Sequence, residues 1–206
     1  MDVYIFGIGN YSEVIIELAL DCGHDIKGLY HYDDSRTGER VMGYKILGDY
    51  NTFYNSVKSG NIIVSVGDNH IRRKNFEEFE KRGYNLINLI HPNASISSTV
   101  EIGKGVYIHN NAMIWTKSFI SDYSIISPKA LISHHVKIGL ANLISAGSTV
   151  GAYVTLNENV LVGNAAIILP KKMFIAKNTV IGAGSVVTKT CEENSIMVGN
   201  PAKNIN

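Results

Sequence analysis

Ile126-Ser-Pro-Lys-Ala-Leu-Ile132-Ser-His-His-Val-Lys-Ile138-Gly-Leu-Ala-Asn-Leu-Ile144 places an isoleucine at every sixth position, and the step continues in both directions. Fourteen aliphatic residues keep it without a gap: Ile90, Ile96, Ile102, Ile108, Ile114, Ile120, Ile126, Ile132, Ile138, Ile144, Val150, Leu156, Val162 and Ile168. With Ile, Val and Leu at roughly a quarter of a chain, chance yields such a run on the order of once in a million phases or less, so it is a structural repeat. A period of six fits neither a helix nor a simple alternating strand. It fits a short strand plus a corner, with one large aliphatic residue pointing inward per side, and three sides close a triangular coil.

The residue two places before each aliphatic is small or β-branched almost throughout, from Ala94, Val100 and Val106 through Ser118, Ser124 and Ala130 to Val154, Val160 and Ala166. That is a second inward position, at a corner too crowded for a large side chain. The residue after the aliphatic is often Gly, Ser or Asn, as at Gly103, Ser133, Gly139, Gly151 and Asn157, types expected to take the tight turns. The phase slips by one residue after Ile168 and resumes at Ile175, Ile181 and Val187. Three hexapeptides per coil and roughly 4.8 Å between stacked strands predict about five coils, a prism near 25 Å tall.

Residues 1–91 read differently, as alternating strand and helix. Strands are expected at Val3 to Phe6, Asp25 to Tyr30, Asn61 to Val66 and Leu86 to Ile90, with helices at about Ser12 to Cys22 and Asn69 to Arg82. Val14, Ile15, Leu18 and Leu20 are expected to face the core from the first helix, and Ile71, Phe76 and Phe79 from the last, whose start Asp68 or Asn69 caps. Alternation of this kind implies a parallel sheet with helices on its faces. The predicted organisation is a small α/β domain over 1–91 and an all-β prism over 92–206, joined near His91 and Pro92.

A formal net charge of +1 and the lack of any basic run argue against nucleic acid as partner. No apolar stretch reaches the length of a membrane span, and the start Met-Asp-Val-Tyr-Ile-Phe-Gly lacks a charged leader, so a soluble, cytoplasmic protein is expected. Cys22 and Cys191 lie in different domains, which speaks against a disulfide and against a cysteine-based metal site.

Open α/β sheets bind ligands at the carboxyl ends of their strands. Three such ends carry suitable residues. Gly7-Ile8-Gly9-Asn10-Tyr11-Ser12 turns from strand to helix and offers backbone amides to a phosphate, although Ser12 stands where a dinucleotide fingerprint has its third glycine. Asp33 and Asp34 follow the second strand, placed to accept hydrogen bonds from a ribose or base. Gly67-Asp68-Asn69 follows the third, with Arg72 and Arg73 one turn on, whose plainer alternative is only to solvate the helix surface. In the prism, His134 and His135 fall between the inward residues Ile132 and Ile138, hence outside the coil. An imidazole there, facing a cleft between subunits, is able to take a proton from an attacking amine or hydroxyl; the plainer alternative is an exposed surface pair.

These features together resemble the NeuD/PglD-like sugar acetyltransferases, whose prism is the left-handed parallel β-helix of the hexapeptide-repeat acyltransferases and whose N-terminal domain is Rossmann-like. The resemblance spans nearly the whole chain and is most specific at Val66-Gly67-Asp68-Asn69-His70-Ile71-Arg72, Asn88-Leu89-Ile90-His91-Pro92, Ile132-Ser133-His134, Ile181-Gly182-Ala183-Gly184-Ser185-Val186-Val187 and Val198-Gly199-Asn200-Pro201-Ala202-Lys203. It implies a homotrimer with active sites between neighbouring prisms, acetyl-CoA as co-substrate, no metal, and transfer of acetyl to a nucleotide-linked amino sugar in surface-glycan or glycoprotein synthesis. It places the general base at His134, the sugar-nucleotide contacts at Gly9, Asn10, Tyr11, Asp33, Asp34 and Gly67, and acetyl-CoA contacts at Asn164 and Gly182. Two departures stand out. The acidic residue that often follows the base is His135 here, and a second histidine near the acetyl group is Leu143. Rival readings are O-acetylation of sialic acid or another sugar, a non-catalytic sugar-nucleotide-binding trimer, a zinc hydrolyase on His109, His134 and His135, and, least favoured, a nicotinamide dehydrogenase.

Overall fold

The computed structural model describes residues 1–206, which divide into two compact units, Met1–Leu89 and Ile90–Asn206. The first runs β1 (Asp2–Phe6), α1 (Ser12–Asp21), β2 (Asp25–His31), β3 (Arg40–Val41), β4 (Tyr44–Asp49), α2 (Tyr50–Ser56), β5 (Asn61–Val64), α3 (Asn69–Lys81) and β6 (Asn85–Leu86). The sheet has the order β3-β4-β2-β1-β5-β6, parallel except for β3, which pairs antiparallel with β4. Because β2 lies on one side of β1 and β5 on the other, the crossovers diverge at β1 and leave a crevice at the carboxyl ends of β1, β2 and β5.

The helices bury a different face from the one expected. In α1 the buried residues are Ser12, Ile15, Ile16, Leu18 and Ala19, whereas Val14 and Leu20 are each 42% exposed. In α3, Phe76 and Phe79 pack inward but Ile71 is 55% exposed, at the mouth of the crevice. Asp68 caps α3 by accepting a hydrogen bond from the Ile71 amide at 2.9 Å. β5 stops at Val64, two residues short of expectation, and the Ser65 hydroxyl donates to the carbonyls of Phe6 (3.0 Å) and Gly7 (2.9 Å). The segment expected as one strand at Leu86 to Ile90 is split into β6 and a short strand at Leu89–Ile90. β3, β4 and α2 have no counterpart in the expectation.

The second unit is a parallel β-helix of two-residue strands. Each aliphatic lies beside the residue eighteen positions on: Ile108 beside Ile126, Ile126 beside Ile144, Ile114 beside Ile132, Ile120 beside Ile138. Three hexapeptides therefore complete one coil. One face carries Ile108, Ile126, Ile144, Val162 and Ile181; the next carries Ile96, Ile114, Ile132, Val150, Ile168 and Val187; the third carries Ile102, Ile120, Ile138, Leu156 and Ile175. From Ile108 to Val187 these residues are at most 1% exposed and form a single core with the small residues that precede them. Burying each such side chain contributes about 2 kcal/mol, so the stack is the main source of this unit's stability. Ile90 is 37% exposed and Ile96 and Ile102 are half-buried, as suits the open end of a stack. The slip after Ile168 is absorbed at the corner Leu169 to Met173, and Leu156 still pairs with Ile175.

The corners turn by a different residue from the one expected. Positive φ occurs at the third position after the aliphatic, not the first: Asn111, Lys117, Tyr123, Lys129, His135, Ala141, Tyr153, Asn159 and Ala165 have φ between 53° and 63°. Glycine after the aliphatic serves close approach instead. A Cβ on Gly139 would lie 2.7 Å from the Asn157 backbone, and one on Gly151 would lie 2.3 Å from the Pro170 nitrogen. No helix of either unit is long and apolar enough to cross a membrane.

Candidate active site

In the first unit, three strand ends build one cavity of about 280 Å³, lined by Gly7, Gly9, Asn10, Tyr11, His31 and Gly67 with neighbouring residues. Gly7 has φ +82°, and a Cβ there would sit 2.5 Å from Val66 Cγ2, so glycine is required to let the first and third loops meet. Gly9 and Gly67 have nothing within 4 Å of a built Cβ; their bareness leaves room in the cavity rather than relieving the fold. Ser12 is 1% exposed and closes the turn on itself, its amide and its hydroxyl both donating to the Gly9 carbonyl at 3.1 and 2.5 Å. One of the amides that a helix start offers an anion is therefore spent inside the loop.

The buried anchor of the cavity is Arg72. The notion that it solvates the helix surface is overturned: the side chain is fully buried, and its guanidinium donates to the carbonyls of Val66 (3.3 Å) and Gly67 (2.8 Å) and to Asn69 Oδ1 (2.7 Å). It clamps the third loop. Burial raises the pKa of the Tyr11 phenol above its ordinary value, partly opposed by the Arg72 charge, so the hydroxyl stays protonated as a donor.

Asp33 and Asp34 are not brought to this cavity. The Asp33 carboxylate turns back to the Ser35 amide (3.1 Å) and hydroxyl, which hold its pKa below the usual carboxylate range, and Asp34 is exposed, its carbonyl accepting from the Thr37 amide. The second strand instead presents His31 and Tyr32. His31 is 8% exposed, and burial pushes its imidazole pKa down, so the ring is neutral at pH 7. From the same loop Arg36 reaches back, Nη1 donating to the Ile8 carbonyl at 2.8 Å, with the guanidinium also held by Glu39; it lines an adjoining cleft of about 340 Å³ with Gly9, Asn10, Ser12 and Glu13. In the sequence the acidic pair just beyond the strand stands out, whereas His31, Tyr32 and Arg36 are marked only by their place at the strand's end.

In the second unit, His134 and His135 occupy the corner between the face of Ile132 and the face of Ile138. They converge. Their Nδ1 atoms are 3.0 Å apart, a hydrogen bond in which one ring donates and the other accepts. Tyr153, from the same corner one coil on, stacks on His135 (5.0 Å, 23°) and meets His134 edge-on (5.3 Å, 89°), while its amide bonds the His134 carbonyl at 3.3 Å. His134 is half-buried and His135 exposed beside a cleft of about 370 Å³. Ala152 sits eighteen positions after His134 at this corner; its neighbours Gly151 and Tyr153 spend their amides on Ile168 and His134, whereas the Ala152 amide makes no bond within the stack.

Asn164 and Gly182 lie on another corner, after the face of Val162 and Ile181, and Leu143 is half-buried on that face itself. The chain alone does not bring them to His134. The Gly182 amide donates to the Met197 carbonyl at 2.8 Å, and Asn164 is exposed with its carbonyl accepting from Gly184. His109 is 4% exposed, its imidazole pKa pushed down to about 4 by burial and by the nearby His91. No three His, Cys, Asp or Glu side chains gather as a metal site.

Comparison with known proteins places both units. Residues 2–79 match the family model described as the PglD N-terminal domain, and residues 87–180 match that of the GMPPB C-terminal domain. Over its full length the chain is similar to the crystal structure of PerB from Caulobacter crescentus, in complex with CoA and GDP-perosamine: TM-score 0.92, 29% identity, 100% of this chain and 98% of that one. It is 27% identical over 191 residues to the GDP-perosamine N-acetyltransferase of Escherichia coli O157:H7, covering 89% of this chain and 85% of the relative. A stretch of 124 residues is 33% identical to the uncharacterized protein L142 of Acanthamoeba polyphaga mimivirus, of whose length it spans only 24%.

Proposed function

We propose, from the chain's place in the NeuD/PglD-like sugar acetyltransferase family, that it is an acyltransferase moving acetyl from acetyl-CoA to the amine of a nucleotide-linked amino sugar. The observation that carries the reading is the full-length likeness to an enzyme crystallised with CoA and GDP-perosamine, a pair that holds both halves of such a reaction. Residues 1–91 serve the sugar nucleotide at the strand-end cavity, through Gly9, Asn10, Tyr11 and Gly67, with His31 and Arg36 in place of Asp33 and Asp34. Residues 92–206, the left-handed β-helix, serve acetyl-CoA.

The chemistry asks little of the protein: hold an amine near the thioester carbon, remove its proton and stabilise the oxyanion. Nε2 of His134 accepts the proton as the amine lone pair bonds the carbonyl carbon. The Ala152 amide, unspent one coil on, donates to the oxyanion. Collapse breaks the C–S bond, and the departing thiolate takes the proton back from His134. The residues assigned to acetyl-CoA and to the base stand on different corners of one prism. That separation supports a homotrimer in which the His134 corner of one subunit faces the Asn164 corner of its neighbour. A cytoplasmic location fits this pair of substrates.

His134→Ala should lower kcat by roughly a hundredfold or more with the assembly intact. The assay is release of free CoA thiol with a panel of nucleotide amino sugars, GDP-linked ones first. Undiminished turnover would remove His134 from the mechanism, and no thiol release across the panel would remove the activity.

A further inference from the structure

We propose that His135 is a positioning residue that fixes the tautomer of His134, accepting a hydrogen bond as a neutral imidazole where an acid would otherwise serve, so that one proton on the pair switches the base off. The inference rests on the acetyl-transfer reading for its choice of tautomer and on the structure for the contact between the two rings.

The two Nδ1 atoms, 3.0 Å apart, share a single proton. If His134 donates, its Nε2 keeps a lone pair and is a base. If His135 donates, His134 must carry its proton on Nε2 and is not. A general base therefore requires His135 as acceptor, with its own proton on Nε2. Within one chain nothing else competes for the role. His134 has no ion pair and no other side-chain hydrogen-bond partner, and the cleft beside the pair is lined by His135, Lys137, Tyr153, Thr155, Lys172, Met173 and Phe174, without a carboxylate. The titratable groups facing the pair are thus Tyr153 from the next coil, Lys137 on the following strand and Lys172 beyond it, with Lys117 at the matching corner one coil before.

The fold holds the acceptor in place. His135 has φ +57°, the left-handed corner conformation, and its amide donates to the Thr116 carbonyl at 3.0 Å. The Tyr153 ring stacks on it from above. A neutral acceptor differs from a carboxylate in one respect that matters. A proton added to the pair ends on Nε2 of His134 whichever ring it enters, and a second would set two N–H groups against each other at the 3.0 Å contact.

His135→Phe keeps a flat ring for Tyr153 and removes the nitrogen. Its kcat should fall by roughly ten- to a hundredfold, the cost typical of losing a residue that orients a functional histidine, with KM for both substrates within about twofold. His135→Asp should recover kcat to within a few-fold and move the acid limb of the pH profile upward by about one unit, because a carboxylate favours the imidazolium, which then persists to higher pH. A packing role would leave that limb where it was. Unchanged kcat in His135→Phe, or an unmoved limb in His135→Asp, overturns the proposal. Imidazole ¹⁵N spectra of the unliganded wild-type protein, assigned with His134→Asn, test it without any acetyl acceptor. A neutral His134 protonated at Nδ1 supports it and one protonated at Nε2 defeats it, even if every nucleotide sugar offered proves not to be a substrate.

Discussion

Arg72 is fully buried and holds the loop after β5 through the Gly67 carbonyl at 2.8 Å. Beside Arg73, in the first turns of a helix, it reads as a solvated cation; Arg73 fits that reading, bonding Glu77 at 2.8 Å on the helix surface. Arg72 is instead the largest fully buried side chain, because the loop carbonyls of Val66 and Gly67 curl over it. No local pattern reveals which of two adjacent arginines a distant loop will claim. Arg72→Met, which keeps the stem and removes the donors, should cost about 2–4 kcal/mol in urea denaturation and raise KM for the sugar nucleotide. Wild-type stability in that variant would show the clamp to be idle. The same limit hid His31 behind Asp33 and Asp34: the type of an acid is visible in sequence, whereas the direction a loop turns it is set by neighbours such as Ser35. His134 was legible because the step of six is a coordinate system, but the step gave only its corner. That His135 bends back to meet it depends on a left-handed φ three places after each aliphatic, a rule visible only once the corners are built.

Elements differ in legibility according to what stabilises them. The prism strands announce themselves, since each contributes one inward aliphatic and the core is the repeat. α2 is hard to read because its own residues favour a helix only weakly: Tyr50–Ser56 is seven residues of Tyr, Asn, Thr, Phe and Ser with a single buried side chain. It is held by its Asp49 cap, which accepts from the Thr52 amide at 2.7 Å, and by Phe53. That ring lies 4.7 Å from Phe6, 4.9 Å from Tyr30, 5.1 Å from Tyr4 and 5.2 Å from Tyr84. Phe53→Ala should cost about 3–5 kcal/mol and melt the first unit at lower temperature while leaving the second unchanged. A loss below about 1 kcal/mol would mean that α2 is held by something other than this cluster. Within the prism, the polar side chains at the small inward position replace packing with hydrogen bonds between coils. Asn142 donates to the Asn157 carbonyl at 2.9 Å and accepts from the Val160 amide at 2.6 Å, which is why an amide is tolerated where Ala and Val otherwise stand.

At the scale of the whole molecule, acid should act on stability through histidines buried neutral. His109 has its pKa pushed down to about 4, and those of His24 and His31 are also lowered by burial. In the unfolded chain these rings titrate near 6.5, so below that value the unfolded state binds more protons and stability falls as pH drops, for His109 down to about 4. Full stability is present above about 6.5. For His109 alone the loss approaches about 3 kcal/mol by pH 4, and a His109→Phe variant should flatten that part of the curve for the second unit. A denaturation midpoint independent of pH across this window would contradict the assignment. Assembly is testable on the same footing: sedimentation should find three chains per particle, and a fully active monomer would remove the intersubunit site.

The eighteen-residue coil makes chain length a means of rotation. Asn164 follows His134 by thirty positions, one complete coil and two further sides. An insertion of eighteen residues between them would lengthen the stack and preserve which corner each occupies. An insertion of six would satisfy the core equally well, yet turn everything downstream by one face and carry Asn164 to the wrong edge of the triangle. Stability is thus indifferent to any multiple of six, whereas the proposed pairing of the two corners tolerates only multiples of eighteen, so a variant can be fully folded and still have its two corners pointing past each other.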